Sequence, residues 1–182
     1  HNLGLRHSGE SKLPNEEPNY LSAMNYLFQT LGLTIAGTSG NFDYSRFESS
    51  AIADLAEGAL AETRGITANP SLSAFGSYYQ CNSKALKIIP SLNTPVDWNC
   101  NGILGEINVS ADINFDGPKS TLNTFNDWKN IRFSYSGGEI GSGVSAERLN
   151  TLLAESELSQ DEVTAEYARK IPRLTGVVIQ RP

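Results

Sequence analysis

Apolar and polar residues alternate irregularly along most of this chain, and only a few stretches carry a clean period. From Ser49 to Thr63 the apolar positions Ile52, Leu55, Ala56, Ala59 and Leu60 recur at helical spacing. Ser49 or Ser50 can cap the start and Gly65 can end it, so the pattern predicts an amphipathic helix, weakened at Gly58 by about 1 kcal/mol relative to Ala. Ahead of it, residues 1 to 27 read as a loop-rich segment ending in the apolar patch "NYLSAMNYLF", and "GTSGNFDY" reads as a turn. Residues 66 to 96 hold Pro70, Pro90 and Pro95 among short apolar runs such as "ALKII", which predicts loops and one strand. "IRFSYSGGEIGSG" alternates into glycines as a strand and turn would. Leu149, Leu152 and Leu153 mark a short helix; Ser159 with Glu162, stapled by Leu158 and Val163, starts another that Pro172 stops.

Composition narrows what such a chain can do. It has 182 residues, with 14 Lys+Arg against 20 Asp+Glu and a net charge of -6. That balance lacks the basic face that neutralising phosphates requires, so nucleic acid is not an expected partner. No apolar run approaches the roughly 18 to 20 residues of a transmembrane helix, and the N-terminus lacks the order of a signal peptide. Charged residues are only 19% of the chain, a balance commoner in loop-rich extracellular domains. Cys81 and Cys100 enclose 18 residues. In an oxidising compartment a disulfide there contributes about 3 kcal/mol, and the alternative is two buried thiols.

Both histidines of the chain fall in "HNLGLRH", with Gly4 midway between His1 and His7. A left-handed Gly4 would end a helix carrying His1 and turn the chain so that His7 returns beside it. Two imidazoles would then face one ion. The stretch resembles the second half of HExxHxxGxxH, the zinc motif of the metzincin metalloproteases. "SAMNY" is similar to the Met-turn of that family and contains the only methionine of the chain, Met24.

The resemblance implies that His1 and His7 are the second and third zinc ligands and that Met24 is the apolar floor beneath them. Tyr26 corresponds to the tyrosine that, in the astacin and serralysin branches, ligates zinc or meets the oxyanion. The first ligand and the general-base glutamate would precede His1. The expectation is therefore a C-terminal part of a secreted, bacterial-type zinc endopeptidase acting on peptide or protein substrates, without peptidase activity on its own. A non-catalytic calcium-dependent binding or adhesion module that retains a metzincin remnant is the alternative.

"DWNCNG" and "DINFDG" both fit D-x-N-x-[ND]-G, the first half of an EF-hand-type calcium loop. Ca2+ takes 6 to 8 oxygens, and the glycine permits the sharp turn. Asp97, Asn99 and Asn101 would serve the first loop, with the Ile103 carbonyl and possible help from Glu106; Asp112, Asn114 and Asp116 would serve the second, with the Pro118 carbonyl. Position 12, where a bidentate Glu is expected, holds Asn108 and Asn123. Asp97, Asp112 and Asp127 lie 15 residues apart, so each loop is expected to be closed partly by the aspartate that opens the next, with the second loop the tighter. The segment resembles the calcium repeats of dockerins and thrombospondin-type modules in kind.

The reading is thus an α+β, loop-rich chain with short helices and tandem calcium loops: residues 1–65 as the lower part of a metzincin catalytic domain, 66–135 as the calcium segment and 136–182 as a C-terminal strand and helices. Zn2+ and Ca2+ are the implied metals, and the location is extracellular.

Overall fold

A computed structural model describes residues 3–9, 15–80 and 86–131 of the chain. His1 and Cys81, the expected strand that opens at Ile131 and the two expected C-terminal helices lie outside these residues, apart from Ile131 itself. The described part is mixed α/β and loop-rich. A one-turn helix α1 (Tyr26–Gln29) leads into strands β1 (Leu33–Ile35) and β2 (Thr38–Asn41), then β3 (Leu55–Ala56), a 3-10 turn at Pro70–Leu72, β4 (Phe75–Gln80), β5 (Leu86–Ile89), β6 (Thr121–Leu122) and helix α2 (Asp127–Asn130).

Four strands form an antiparallel sheet in the order β2-β1-β4-β5, and β3 pairs with β6 in a second, two-stranded sheet. Within the stretch read as a turn, "TSGN" is strand β2. The reversal lies one step earlier, at Ala36 (φ 50°) and Gly37 (φ 78°). Two successive left-handed residues are what a tight type I′ hairpin needs.

Strand β4 has no counterpart in the hydrophobic pattern. Its residues Gly76 to Tyr79 are buried in succession, so the strand is covered on both faces and shows no alternation. Tyr78 packs toward Phe28 and Tyr79 toward Trp98, with ring centroids 5.8 and 5.3 Å apart. One apolar core runs from Leu21 and Phe28 through Ile52, Leu60 and Ile66 to Trp98, Val109, Ile113 and Leu122. Residues before and after position 65 therefore share one sheet and one core. A second, smaller cluster gathers Leu5, Tyr20 and Met24.

The helix expected over Ser49–Thr63 does not form. Burial follows positions 55, 57, 60 and 62, an extended rhythm in which Glu57 and Glu62 face inward while Ala56 and Ala59 stay exposed. The backbone instead makes a ladder with residues 106–120. Leu60 and Val109 exchange both hydrogen bonds at 2.8 Å, Glu57 N–H donates to Ser120, and Glu62 N–H donates to Glu106. A helix would have left two glutamates without the backbone donors that this arrangement supplies. Gly65, expected as a helix stop, is required by close approach: a Cβ there would lie 2.1 Å from the carbonyl oxygen of Leu92.

Candidate metal centres

Residues 3 to 9 form a compact turn. Gly4 is left-handed (φ 75°), and Gly9 N–H donates to the carbonyl of Arg6 at 3.1 Å. Gly9 is left-handed too, and a Cβ there would meet the Phe125 side chain at 2.3 Å, so the turn closes against the C-terminal end of the calcium segment. This geometry buries His7. Its Nδ1 lies 2.6 Å from the carbonyl oxygen of Met24, 17 residues away. A carbonyl only accepts, so Nδ1 carries a proton. The Tyr26 ring sits 4.4 Å from the imidazole, centroid to centroid.

The segment around Met24 is a tight turn. Asn25 N–H donates to the Ser22 carbonyl at 3.1 Å and Met24 N–H to Ser22 Oγ at 3.0 Å. Asn25 caps α1 through Leu27 N–H, and Asn15 Oδ1 accepts from Tyr26 N–H at 3.2 Å. Asp127 pins this turn from outside. Its carboxylate accepts from Tyr20 Oη (2.6 Å), Ser22 Oγ (2.5 Å) and Ser45 N–H (2.9 Å). Burial raises its pKa, partly offset by those donors.

The two D-x-N-x-[ND]-G stretches adopt one conformation. In each, the glycine N–H returns to the first aspartate: Gly102 to Asp97 at 2.8 Å and Gly117 to Asp112 at 3.0 Å. The fourth residue is left-handed in both, Cys100 at φ 56° and Phe115 at φ 62°. The side chain of the second residue, Trp98 or Ile113, enters the apolar core and anchors the loop there. Its burial stabilises each anchor by about 1.5–3 kcal/mol. Ile103 and Pro118 follow the glycines with exposed side chains. In the first loop Glu106 accepts from the amide groups of Asn99 and Asn101.

Two of the aspartates expected to help close the loops, Asp112 and Asp127, already accept hydrogen bonds. Both oxygens of Asp127 are engaged by residues 20 to 45, and those of Asp112 turn back on its own loop through Phe115 and Gly117. The carboxylates that reach the loops from elsewhere are Glu57 and Glu62. Glu57 accepts from Ile113 N–H at 2.7 Å and Ser120 N–H at 2.8 Å; Glu62 accepts from Trp98 N–H at 2.9 Å. Oxygens of Glu57, Asp112 and Asp116 all lie within 4.8 Å of one another. The helical reading hid these residues, yet the sequence carried a signal. "LAEGALAE" repeats Leu-Ala-Glu at a spacing of five, two glutamates for two loops.

The second loop has further acidic neighbours. Glu16 and Glu17 are pushed up to about 7 and about 8, in both cases first by burial and then with Asp116 adding to the rise. Ser8 Oγ donates to both Glu17 oxygens at 3.0 Å, and Asn114 Nδ2 donates to the Asn15 carbonyl at 3.0 Å. Asn114 thereby ties the loop to the stretch between His7 and Met24.

Cys100 is disulfide-bonded, and the chain has one other cysteine, Cys81. Among the described residues no helix is long and apolar enough to cross a membrane. No family model, curated protein or solved structure gives a significant match to the chain.

Proposed function

We propose that this chain carries the lower part of a secreted metzincin-type zinc endopeptidase, braced by two calcium loops. The observation that carries the reading is the 2.6 Å contact between His7 Nδ1 and the Met24 carbonyl. Histidines that ligate metals nearly always donate their other ring N–H to a carbonyl or carboxylate, which fixes tautomer and ring orientation. His7 is held in this way by the turn that contains the methionine of the "SAMNY" motif. The set fits zinc: an imidazole aimed through Nδ1 by a carbonyl, so that Nε2 would be the ligand, and a phenol beside it.

Zinc, when bound, would polarise the scissile carbonyl and lower the pKa of its water. The chain's own residues have separate tasks. His7 and, by resemblance, His1 hold the metal. By the same resemblance Met24 would floor the site, and Tyr26 would donate its phenol hydrogen to the oxygen on which charge develops. Support for an extracellular setting comes from the disulfide at Cys100. The two matched loops, with carboxylates at calcium spacing, support a calcium-stabilised body.

The test uses the native gene product, purified and assayed for zinc content and endopeptidase activity beside its His7→Ala variant. Loss of both zinc and activity in the variant is expected. Unchanged zinc content and activity would overturn the assignment, and calcium binding without any zinc would favour the adhesion-module alternative.

A further inference from the structure

We propose that Glu62 and Glu57 are the loop-closing calcium ligands, one for each loop, in place of the position-12 glutamate that both loops lack. This rests on the reading of the loops as calcium sites and adds to it the residues that complete them.

Glu62 carries the inference. It is fully buried, and its Oε1 accepts from Trp98 N–H at 2.9 Å and Asn99 N–H at 3.4 Å, the second and third residues of the first loop. The other oxygen of the same carboxylate, Oε2, has no hydrogen-bond partner. Leaving a buried polar atom unsatisfied costs about 1–3 kcal/mol, and more for a charged group. A cation held in the loop would satisfy it. No basic side chain does so: among the described residues the ion pairs join Arg46 to Asp43 and Lys129 to Glu48, neither of them at the loops.

In the second loop Glu57 stands in the place of Glu62, with Ile113 N–H on one oxygen and Ser120 N–H on the other. Each glutamate accepts the N–H of its loop's second residue, Ile113 for Glu57 and Trp98 for Glu62. Two oxygens on one Ca2+ at 2.3–2.6 Å from it are separated by at most about 5 Å. The 4.8 Å within which oxygens of Glu57, Asp112 and Asp116 all lie meets that condition. An oxygen-only, carboxylate-rich set of this kind selects Ca2+ over a nitrogen-seeking metal such as zinc.

Occupation would also do mechanical work. The glutamates sit on the stretch that bridges Leu60 to Val109 and pairs β3 with β6, so each ion would clamp the catalytic segment to the loop segment.

Calorimetric titration of the chain with CaCl2, for the wild type and for Glu62→Gln and Glu57→Gln, tests the proposal. Glutamine retains the acceptor for the loop N–H, so the fold is kept, with the near-UV signal of buried Trp98 as its check. The wild type is expected to bind two Ca2+, and each variant to bind one of them at least tenfold more weakly. A measurement on the unaltered chain stands beside it: 13C-glutamate labelling should show the Glu57 and Glu62 carboxylate resonances shifting with stoichiometric calcium. Variants that titrate like the wild type, or resonances that stay still while calcium binds, overturn the glutamate assignment and leave the calcium reading intact. No heat and no shift at millimolar calcium in the wild type would remove the calcium reading and this proposal with it.

Discussion

The His7 turn and the paired acidic loops, the two metal sites of the proposed function, are prepared in opposite ways. His7 is aimed by the Met24 carbonyl, with the Tyr26 ring beside it. The loops are anionic, and their carboxylates are held by backbone N–H groups from two separate stretches of chain. A borderline metal such as zinc asks for a few nitrogen lone pairs in a fixed orientation, whereas calcium asks for many oxygens and negative charge. On the proposed function, that difference is what would let one small fold keep two metals apart.

Asp127 is where that separation is most sharply exposed. Sequence spacing assigns it to calcium, while its contacts assign it to the Met24 turn. Asp127→Ala strands the donors of Tyr20, Ser22 and Ser45, which at this burial costs about 2–4 kcal/mol of stability. Thermal or urea unfolding should record that loss while calcium stoichiometry in the folded variant stays at the wild-type value. A variant that is as stable as the wild type but binds less calcium would return Asp127 to the loops.

A smaller but more specific effect is expected at Tyr26. Removal of one donor to a developing oxyanion lowers kcat by about 10²–10³. Tyr26→Phe in the active protein should show such a fall with KM and zinc content unchanged; an unchanged kcat would leave the phenol as packing only.

The two loops themselves differ by one ligand in the same register, Asp116 in the second and Asn101 in the first. The second loop is expected to bind calcium about tenfold more tightly, or about 1.4 kcal/mol. Asp116→Asn should bring the two affinities together. Two equal affinities in the wild-type titration would contradict this ranking.

The smallest effect concerns pH. Glu16 and Glu17 are raised to about 7 and about 8 by burial, so the fold favours their protonated forms over the unfolded chain. Their contribution is fully present below the ordinary carboxylate value of 4.5 and is lost as pH rises through 7 to 8. For Glu17 the groups that face it are Ser8, Asn123, Asp116 and Glu57. The melting temperature of the calcium-free chain should therefore fall across that interval, and Glu17→Gln should flatten the slope. An equal slope in the variant would place the effect elsewhere.

Local chemistry was well marked in the sequence. Gly4, the Met24 turn and both D-x-N-x-[ND]-G loops could be read from residue types at short spacing, because each is a turn whose conformation is set within six or seven residues. Long-range pairing was not marked. The apolar rhythm of 49–63 fitted a helix because Ile52, Leu55 and Leu60 also suit an extended ladder whose partner lies some fifty residues later. Strand β4 escaped notice because a doubly covered strand does not alternate. Glu57 and Glu62 were hidden for the first of these reasons, since a glutamate on a helix reads as solvent-facing until the loops that supply its donors are in place.

Anomalous scattering at the zinc edge, from crystals of the native gene product grown with zinc and excess calcium, tests the central claim most directly. The account predicts a zinc peak about 2.0–2.1 Å from His7 Nε2, and none in the loops. Zinc density between Glu57, Asp112 and Asp116, with His7 bare, would contradict it.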